Sequence, residues 1–363
     1  MWSNAAMTEW SDWYRREDPT AWVLPDILRS RAEQTPDRPF LQFDGGDWQS
    51  FGEVNAKANR IANALIKRGL TKGEAVSTLM PNSDDNLAAW FGIVKAGGVQ
   101  CPINLAYRGD FLSWVINLPR SRHLIIADSH LEQLAHVAHD LPDLTHVVVW
   151  PTGDGPNGPP PDFPHEPFEG LLDAPDDEPG VEVTWTDDAR VMFTSGTTGR
   201  SKGAIKQHAS DYFSGRTYIE VCGVTEDDTL FTCLPLFHSN AQVLCSYPAL
   251  IAGARLALVE RYSSSRFWRQ VTESGATCLN TVSAMNYFIW NTPEGDLDRA
   301  HSVSRIMAMP APKDIYFEFQ ERFGIRFHEG YGLTETGMVT YVPPDAGPKP
   351  GSCGVASPCL LYT

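Results

Sequence analysis

The sequence predicts an α/β protein built on mainly parallel sheets, because short apolar runs alternate with amphipathic helical stretches along most of its length. Three observations carry this. A Ser50/Glu53 capping box opens a helix whose Val54, Ala58, Ile61 and Leu65 share one face, and Gly69 ends it. The apolar run 75–80 that follows reads as a buried strand, and a helix over about 84–96 then stops at Gly97-Gly98. The same alternation resumes beyond a break at 151–187.

Taken in order, 123–127 and 145–150 read as further strands with helical stretches before each. Residues 151–187 hold nine prolines and many acids. Proline removes backbone donors and the charges resist burial, so a surface loop is expected there. Strands are then expected at 190–194, 229–234, 255–259, 277–279 and 305–309. Helices fit near 206–222, 241–252, 263–273, 282–291 and 312–323. The simplest organisation is a strap over 1–34, α/β subdomains over 35–187 and 188–340, and a further piece over 341–363.

Composition narrows the function. The chain has 363 residues, enough for two or three units of about 150 residues. Lys and Arg total 29 against 45 for Asp and Glu, a net charge of −16. So acidic a surface argues against general nucleic-acid or anionic-membrane binding, while leaving room for a local basic pocket. Seven scattered cysteines without a C-x-x-C pair fit reduced cytosolic thiols better than a disulfide frame or zinc site. The first thirty residues lack an apolar signal core, and the longest apolar stretch, 247–259, is too short for a membrane span. A cytoplasmic location is expected. Trp2, Trp10, Trp13, Tyr14 and Trp22 read as a docked N-terminal strap.

Three segments carry chemistry. The first, FTSGTTGRSKG over 193–203, follows an expected strand and precedes an expected helix. Its glycines let backbone approach a ligand, its N–H groups and hydroxyls suit phosphate oxygens, and Lys202 adds charge. It is not a Walker A loop, because Lys202 precedes Gly203 and position 201 is serine. A plain Gly/Ser/Thr turn is the alternative. The second, EGYGLTETG over 329–337, follows a short strand at 325–328, where open α/β sheets bind ligands. Tyr331 offers a flat face for a base and Glu335 a hard oxygen ligand for Mg²⁺. A glycine-rich turn with a solvated glutamate is the alternative. The third, LPLFHSN over 234–240, presents His238 at another strand end, either as a site residue or as a satisfied core histidine.

In this order and spacing, the three motifs closely resemble the adenylate-forming acyl-CoA synthetase (AMP-binding) superfamily. The likeness runs from about residue 35 to 358. The stretch 213–326, with ARLALVERYSSSRFWRQV inside it, is most similar to the carnitine/crotonobetaine-CoA ligase group. The resemblance implies two β-α-β sheet subdomains, the start of a small β-barrel subdomain over 341–363, and a C-terminal lid domain that this sequence lacks.

It also implies site roles. Thr194, Ser195, Gly196, Thr197, Thr198, Gly199 and Lys202 would hold the ATP phosphates. Glu329, Gly330, Tyr331 and Gly332 would line the adenine site, with Tyr331 stacking on the base. Ala311 and Pro312 would lie opposite, in a loop that reads Met-Pro-Ala-Pro where the family usually has Gly-Gly-Ala-Pro, so a tighter or shifted pocket is expected. Thr334 would contact phosphate and the substrate carboxylate, Glu335 would bind Mg²⁺, and His238 would gate the acyl pocket. Lys202, Thr334, Glu335 and His238 are the expected catalytic set. Ser201 stands where the family usually has proline and is expected to loosen the loop.

The implied reaction joins a small carboxylic acid to coenzyme A through an acyl-adenylate, with ATP and Mg²⁺. His238 rather than Asp after Phe237 disfavours an amino-acid substrate. Tyr287, Phe288 and Trp290 fall where the family builds its acyl pocket; an aromatic box for a quaternary ammonium or an ordinary buried helix face would explain them. The family continues into a Thr-Gly-Asp motif, a hinge and a domain bearing a catalytic lysine. The sequence ends before these, so a truncated ligase, impaired or inactive alone, is expected. The rivals are a non-catalytic ATP- or acid-binding fragment, a pseudoenzyme and an adenylation-only enzyme. A homodimer is a further expectation.

Overall fold

The computed structural model describes residues 17–194 and 200–357. β1 (Pro39–Phe43) and β2 (Trp48–Ser50) form a hairpin. β3 (Ala75–Leu79), β4 (Val99–Pro102), β5 (His123–Ala127), β6 (His146–Trp150) and β7 (His165–Pro167) follow. β8 (Asp188–Phe193) and β9 (Gly203–Gln207) flank the first motif. β10 (Thr229–Thr232), β11 (Arg255–Leu258), β12 (Cys278–Val282), β13 (Arg305–Met309), β14 (Arg326–Leu333), β15 (Gly337–Tyr341) and β16 (Val355–Ala356) complete the set among the described residues.

Two sheets result. One runs β7-β6-β5-β3-β4-β8-β9 and is parallel except for β9. The other runs β16-β15-β14-β13-β12-β10-β11-β1-β2, parallel from β1 through β14 and antiparallel at both ends. Apolar strands buried on both faces, such as β3 and β5, are what a parallel sheet covered by helices requires.

The local signals act as the sequence implies. In the helix Phe51–Lys67, Ser50 accepts from the Glu53 N–H while the Glu53 carboxylate accepts from the Ser50 N–H. Ser83 caps the helix Asp84–Lys95. Trp22 is buried and stacks on Tyr212, with centroids 5.4 Å apart and planes 10° apart. The other aromatics of the expected strap lie outside the described residues.

Four features differ from the sequence reading. The sheets do not follow the 187/188 boundary: β1 and β2 join the second sheet through β11, and β8 and β9 join the first through β4. Pairing across the chain outweighs sequence order, because each sheet gains an otherwise unpaired edge. The first motif leads into a strand, not a helix, and β8 pairs antiparallel with β9 from Phe193↔Gly203 to Asp188↔Gln207. The helix His208–Cys222 starts only afterwards. β14 runs on past the expected strand end at 328 through Gly330-Tyr331-Gly332 to Leu333, leaving only 334–336 as the turn. Finally, 151–187 is not wholly a surface loop. Phe168 and Leu171 are buried, and the side chains of Asn59 and Asn63 donate to carbonyls over 175–177.

The sheets meet at a buried polar junction. Arg190 on β8 donates to Asp211 through Nε at 2.5 Å and Nη2 at 2.8 Å. Its Nη1 donates to Gln242 at 2.9 Å, and Gln242 in turn donates to Gln100 on β4 at 2.9 Å. Gln242 opens the π-helical segment Gln242–Ser246, a feature the sequence pattern does not signal. Asn82, after β3, makes a second clamp. Its amide donates to the Leu234 and Val259 carbonyls and accepts from the Leu236 N–H.

Removing one partner of a buried ion pair strands the other. Asp211→Ala should therefore lower the unfolding free energy by about 3–5 kcal/mol. Denaturant titrations of D211A, R190M and the double variant check this. The double change should cost less than the sum of the single ones, because it leaves no unpaired charge.

Candidate active site

The described ends of the first motif stand where β8 and β9 begin to pair, at Phe193↔Gly203. The Thr194 N–H donates to the Lys202 carbonyl at 3.0 Å, and the Lys202 N–H donates to the Thr194 hydroxyl at 3.3 Å. These bonds close the neck of the loop, and the Lys202 side chain is exposed beside it. Ser195, Gly196, Thr197, Thr198 and Gly199 lie outside the described residues. Ser201, expected to loosen the loop, stands at its described neck. It is buried, its hydroxyl is 2.9 Å from the Tyr107 hydroxyl, and its carbonyl accepts from the Trp114 indole at 2.8 Å. Arg200 lies over the Trp114 ring at 4.9 Å. A serine here adds the one hydrogen bond that proline could not make, between its hydroxyl and that of Tyr107 in the loop before the helix Gly109–Asn117.

The second motif supplies a hairpin tip from the other sheet. Gly332 pairs with Met338 and Leu333 with Gly337, leaving Thr334, Glu335 and Thr336 as the loop. Two glycines make this tip possible. A side chain on Gly332 would put Cβ 2.4 Å from the Gly337 carbonyl oxygen. Gly337 has φ +72°, and Cβ there would sit 2.4 Å from the Ser214 hydroxyl. The exposed Glu335 carboxylate stands at the tip, and its backbone carbonyl accepts from Lys206 Nζ at 3.1 Å. Lys206 belongs to β9, so this bond joins the two hairpins.

Glu329 is buried on β14 beside β13. Burial pushes its carboxyl up to about 7, against the opposing effect of a hydrogen bond from the Ala311 N–H. Glu329 and Ala311 are therefore neighbours, with Ala311 and Pro312 both buried. Tyr331, two residues along the strand, is 47% exposed and presents a free ring face.

His238 sits just beyond β10, held by the Asn82 clamp. Its N–H donates to the Pro235 carbonyl, and its ring packs on Phe237 at 4.6 Å. One edge meets solvent, while lost hydration on the other holds the imidazole below the usual histidine range, hence neutral at pH 7.

A cavity of about 260 Å³ lies between these parts. His238, Gly332 and Thr334 line it, as does Met309 of the Met-Pro-Ala-Pro loop. Lys202, Glu329, Tyr331, Ala311, Pro312 and the Glu335 side chain stand outside its lining. Sequence reasoning missed Arg190, Lys206, Asp211 and Ser214, which form its deep end. One signal was available for Lys206. Strand alternation puts it on the face opposite Ile205, and Ile205 is the exposed one.

The aromatic trio does not form one box. Tyr287 donates to Asp314, Phe288 is exposed and stacks on Tyr262 at 6.3 Å, and Trp290 packs on Phe319 and under Arg322. None of the three lines the cavity. Helical spacing sends successive rings in different directions, which the family position alone does not reveal.

Among the described residues no three His, Cys, Asp or Glu side chains converge as a metal cage. A single exposed carboxylate such as Glu335 still fits Mg²⁺, which takes one or two protein carboxylates and completes its shell with phosphate oxygens and water. No helix among the described residues is long and apolar enough to cross a membrane.

The architecture and motifs match known proteins. The family model described as AMP-binding enzyme matches residues 28–362. A crotonobetaine/carnitine–CoA ligase of Escherichia coli O9:H4 is 30% identical over 301 residues, covering 79% of this chain and 55% of the relative. The chain thus spans about half the length of the curated relatives it matches. ATP-bound MatB from Rhodopseudomonas palustris superposes with a TM-score of 0.78 at 25% identity, covering 92% of this chain and 65% of that one. The inhibitor-bound N-terminal domain of FACL13 from Mycobacterium tuberculosis gives 0.81 at 26% identity, covering 92% and 82%. A match over nearly the whole chain shows that it belongs to the AMP-binding enzyme family.

Proposed function

We propose that this chain carries the adenylation machinery of an ATP-dependent carboxylic acid–CoA ligase. In the first half-reaction the acid carboxylate attacks the α-phosphorus of ATP, and pyrophosphate leaves as the acyl-adenylate forms. In the second, the thiol of coenzyme A attacks the activated carbonyl, loses its proton and expels AMP. The observation that carries this reading is the bond from Lys206 to the Glu335 carbonyl, which joins the hairpin of the phosphate loop to the hairpin of the carboxylate turn. ATP-bound and inhibitor-bound relatives of the same fold support it.

The residue chemistry fits the task. Driving a carboxylate onto a triphosphate brings anions together, and preorganised donors and cations offset that repulsion. In this reading Lys202 and the loop N–H groups hold the leaving phosphates. Thr334 orients the reacting carboxylate and α-phosphate. Glu335 holds Mg²⁺, which when bound neutralises charge on the phosphate oxygens. Tyr331 stacks on adenine, and the buried Glu329 carboxyl and Ala311 frame its other edge. Neutral His238 walls the acyl cavity.

Three outcomes are expected. Lys202→Ala should lower kcat/KM for acid-dependent ATP–pyrophosphate exchange by about 10²-fold or more, the usual cost of one preorganised donor; an unchanged rate removes Lys202 from the mechanism. Glu335→Gln should raise the Mg²⁺ concentration needed for half-maximal exchange. Thioester formation on the same chain separates a complete ligase from one that only adenylates.

Glu329 also links stability to pH. Its folded pKa near 7 lies above the ordinary value of 4.5, so between these the folded state binds more protons than the unfolded one. This group's contribution therefore erodes as pH rises from about 4.5 to 7. Glu329→Gln should remove that slope, and melting curves of both proteins across this range will check it.

A further inference from the structure

The cavity wall includes a buried cation that no carboxylate pairs with among the described residues. Lys206 is 4% exposed and lines the cavity. Its ammonium has three donors, and the one hydrogen bond it makes among the described residues goes to the Glu335 backbone carbonyl. No carboxylate lies within ion-pair distance of it among those residues. The charged groups facing it are Arg190, Asp211 and Glu335. Asp211 is committed to Arg190 by two hydrogen bonds, and Glu335 is exposed and acts on the ammonium only from beyond ion-pair distance. Within the lining, Arg190 and Asp211 cancel and His238 is neutral, so one positive charge remains. Loss of hydration around that charge lowers the Lys206 pKa, the sign of an ammonium short of compensation.

The walls also define what fits. A volume of about 260 Å³ falls below the ~300–1,000 Å³ of sites for drug-sized ligands. Asn280 donates to the Asn240 side-chain oxygen at 2.9 Å, and Tyr218 donates to the Asn280 oxygen at 2.7 Å. With its oxygen taken, Asn240 has its NH₂ donors to offer the cavity it lines. Ser214 and Ser239 add hydroxyls. A long alkyl chain would bury these donors unpaired, at the full cost of desolvating them.

Resting on the adenylation reading above, we infer that the acid is a short dicarboxylate, one carboxylate being adenylated while Lys206 holds the other. A carboxylate at the deep end supplies the missing counter-charge and accepts from the ammonium and the Asn240 amide. An equally long monocarboxylic acid would leave Lys206 stranded behind a methyl group. A trimethylammonium acid would bring a second cation against it.

The test is a panel of linear dicarboxylates of increasing length beside monocarboxylates of equal length. Each is measured by acid-dependent pyrophosphate exchange and, independently, by calorimetric binding to the chain. A dicarboxylate should lead in both. In Lys206→Met the ratio of dicarboxylate to monocarboxylate kcat/KM should fall about tenfold or more, the worth of one charge-assisted hydrogen bond. Lys206→Arg should keep most of the preference, and melting curves will show that each variant folds. A monocarboxylate preference in the unaltered protein overturns the inference. So does an equal loss on both acid classes in Lys206→Met, which would assign the lysine to the reacting carboxylate or phosphate. If exchange fails with every acid while calorimetry still ranks them, the ligase reading falls and the ranking decides on Lys206. If neither acid class binds, both readings fall.

Discussion

A guanidinium buried between two sheets is the constraint on which the rest of this molecule depends. Arg190 cannot be solvated where it lies, so each of its donor groups must find a fixed acceptor. Asp211 and Gln242 supply them, and Gln100 extends the chain. These four residues come from β8, the helix His208–Cys222, the π-helical segment and β4. Satisfying one side chain thus sets the distance between the strand that carries the phosphate loop and the segment that follows His238. Arg190 and Asp211 themselves line the cavity, so the structural junction and the floor of the candidate site are one object.

The same logic explains why the site mixes rigid and exposed parts. Hairpin necks, glycine contacts and the Asn82 clamp hold the backbone of all three motifs, while Lys202, Tyr331 and Glu335 reach into solvent where a large polyanion could meet them. Catalysis by positioning and charge needs this division, because donors fixed before the reaction spend no energy on reorganising during it. Lys206 is the exception among the cations. It is buried, tied to a backbone carbonyl, and part of the cavity wall.

Much of this was legible in the linear sequence. The capping box at Ser50 and Glu53, the strands at 123–127 and 305–309, and the helix over 84–95 follow from periodicity and end signals that act over a few residues. The three motifs were also visible, since glycines, hydroxyls and charged residues at strand ends are local features. Strand pairing was not visible. The helix expected near 206–222 starts at His208, and Gly203–Gln207 is instead a strand stabilised by β8 across the loop. β1 and β2 carry no mark showing that their partner is β11, more than two hundred residues away. The setting of Ser201 was not visible for the same reason: its two partners, Tyr107 and Trp114, lie about ninety residues upstream.

The sequence by itself determined the fold class, the family and the identity of the three chemical motifs, because each rests on residue type and short spacing. Only the tertiary structure decided which sheet each motif belongs to, that the aromatic trio at 287–290 has separate partners, and that Lys206 is buried with no side-chain anion paired to it among the described residues. The physical reason is range. Propensity and capping act within a turn or two of chain, whereas the burial of a charge and the partner that compensates it are properties of groups brought together from distant positions.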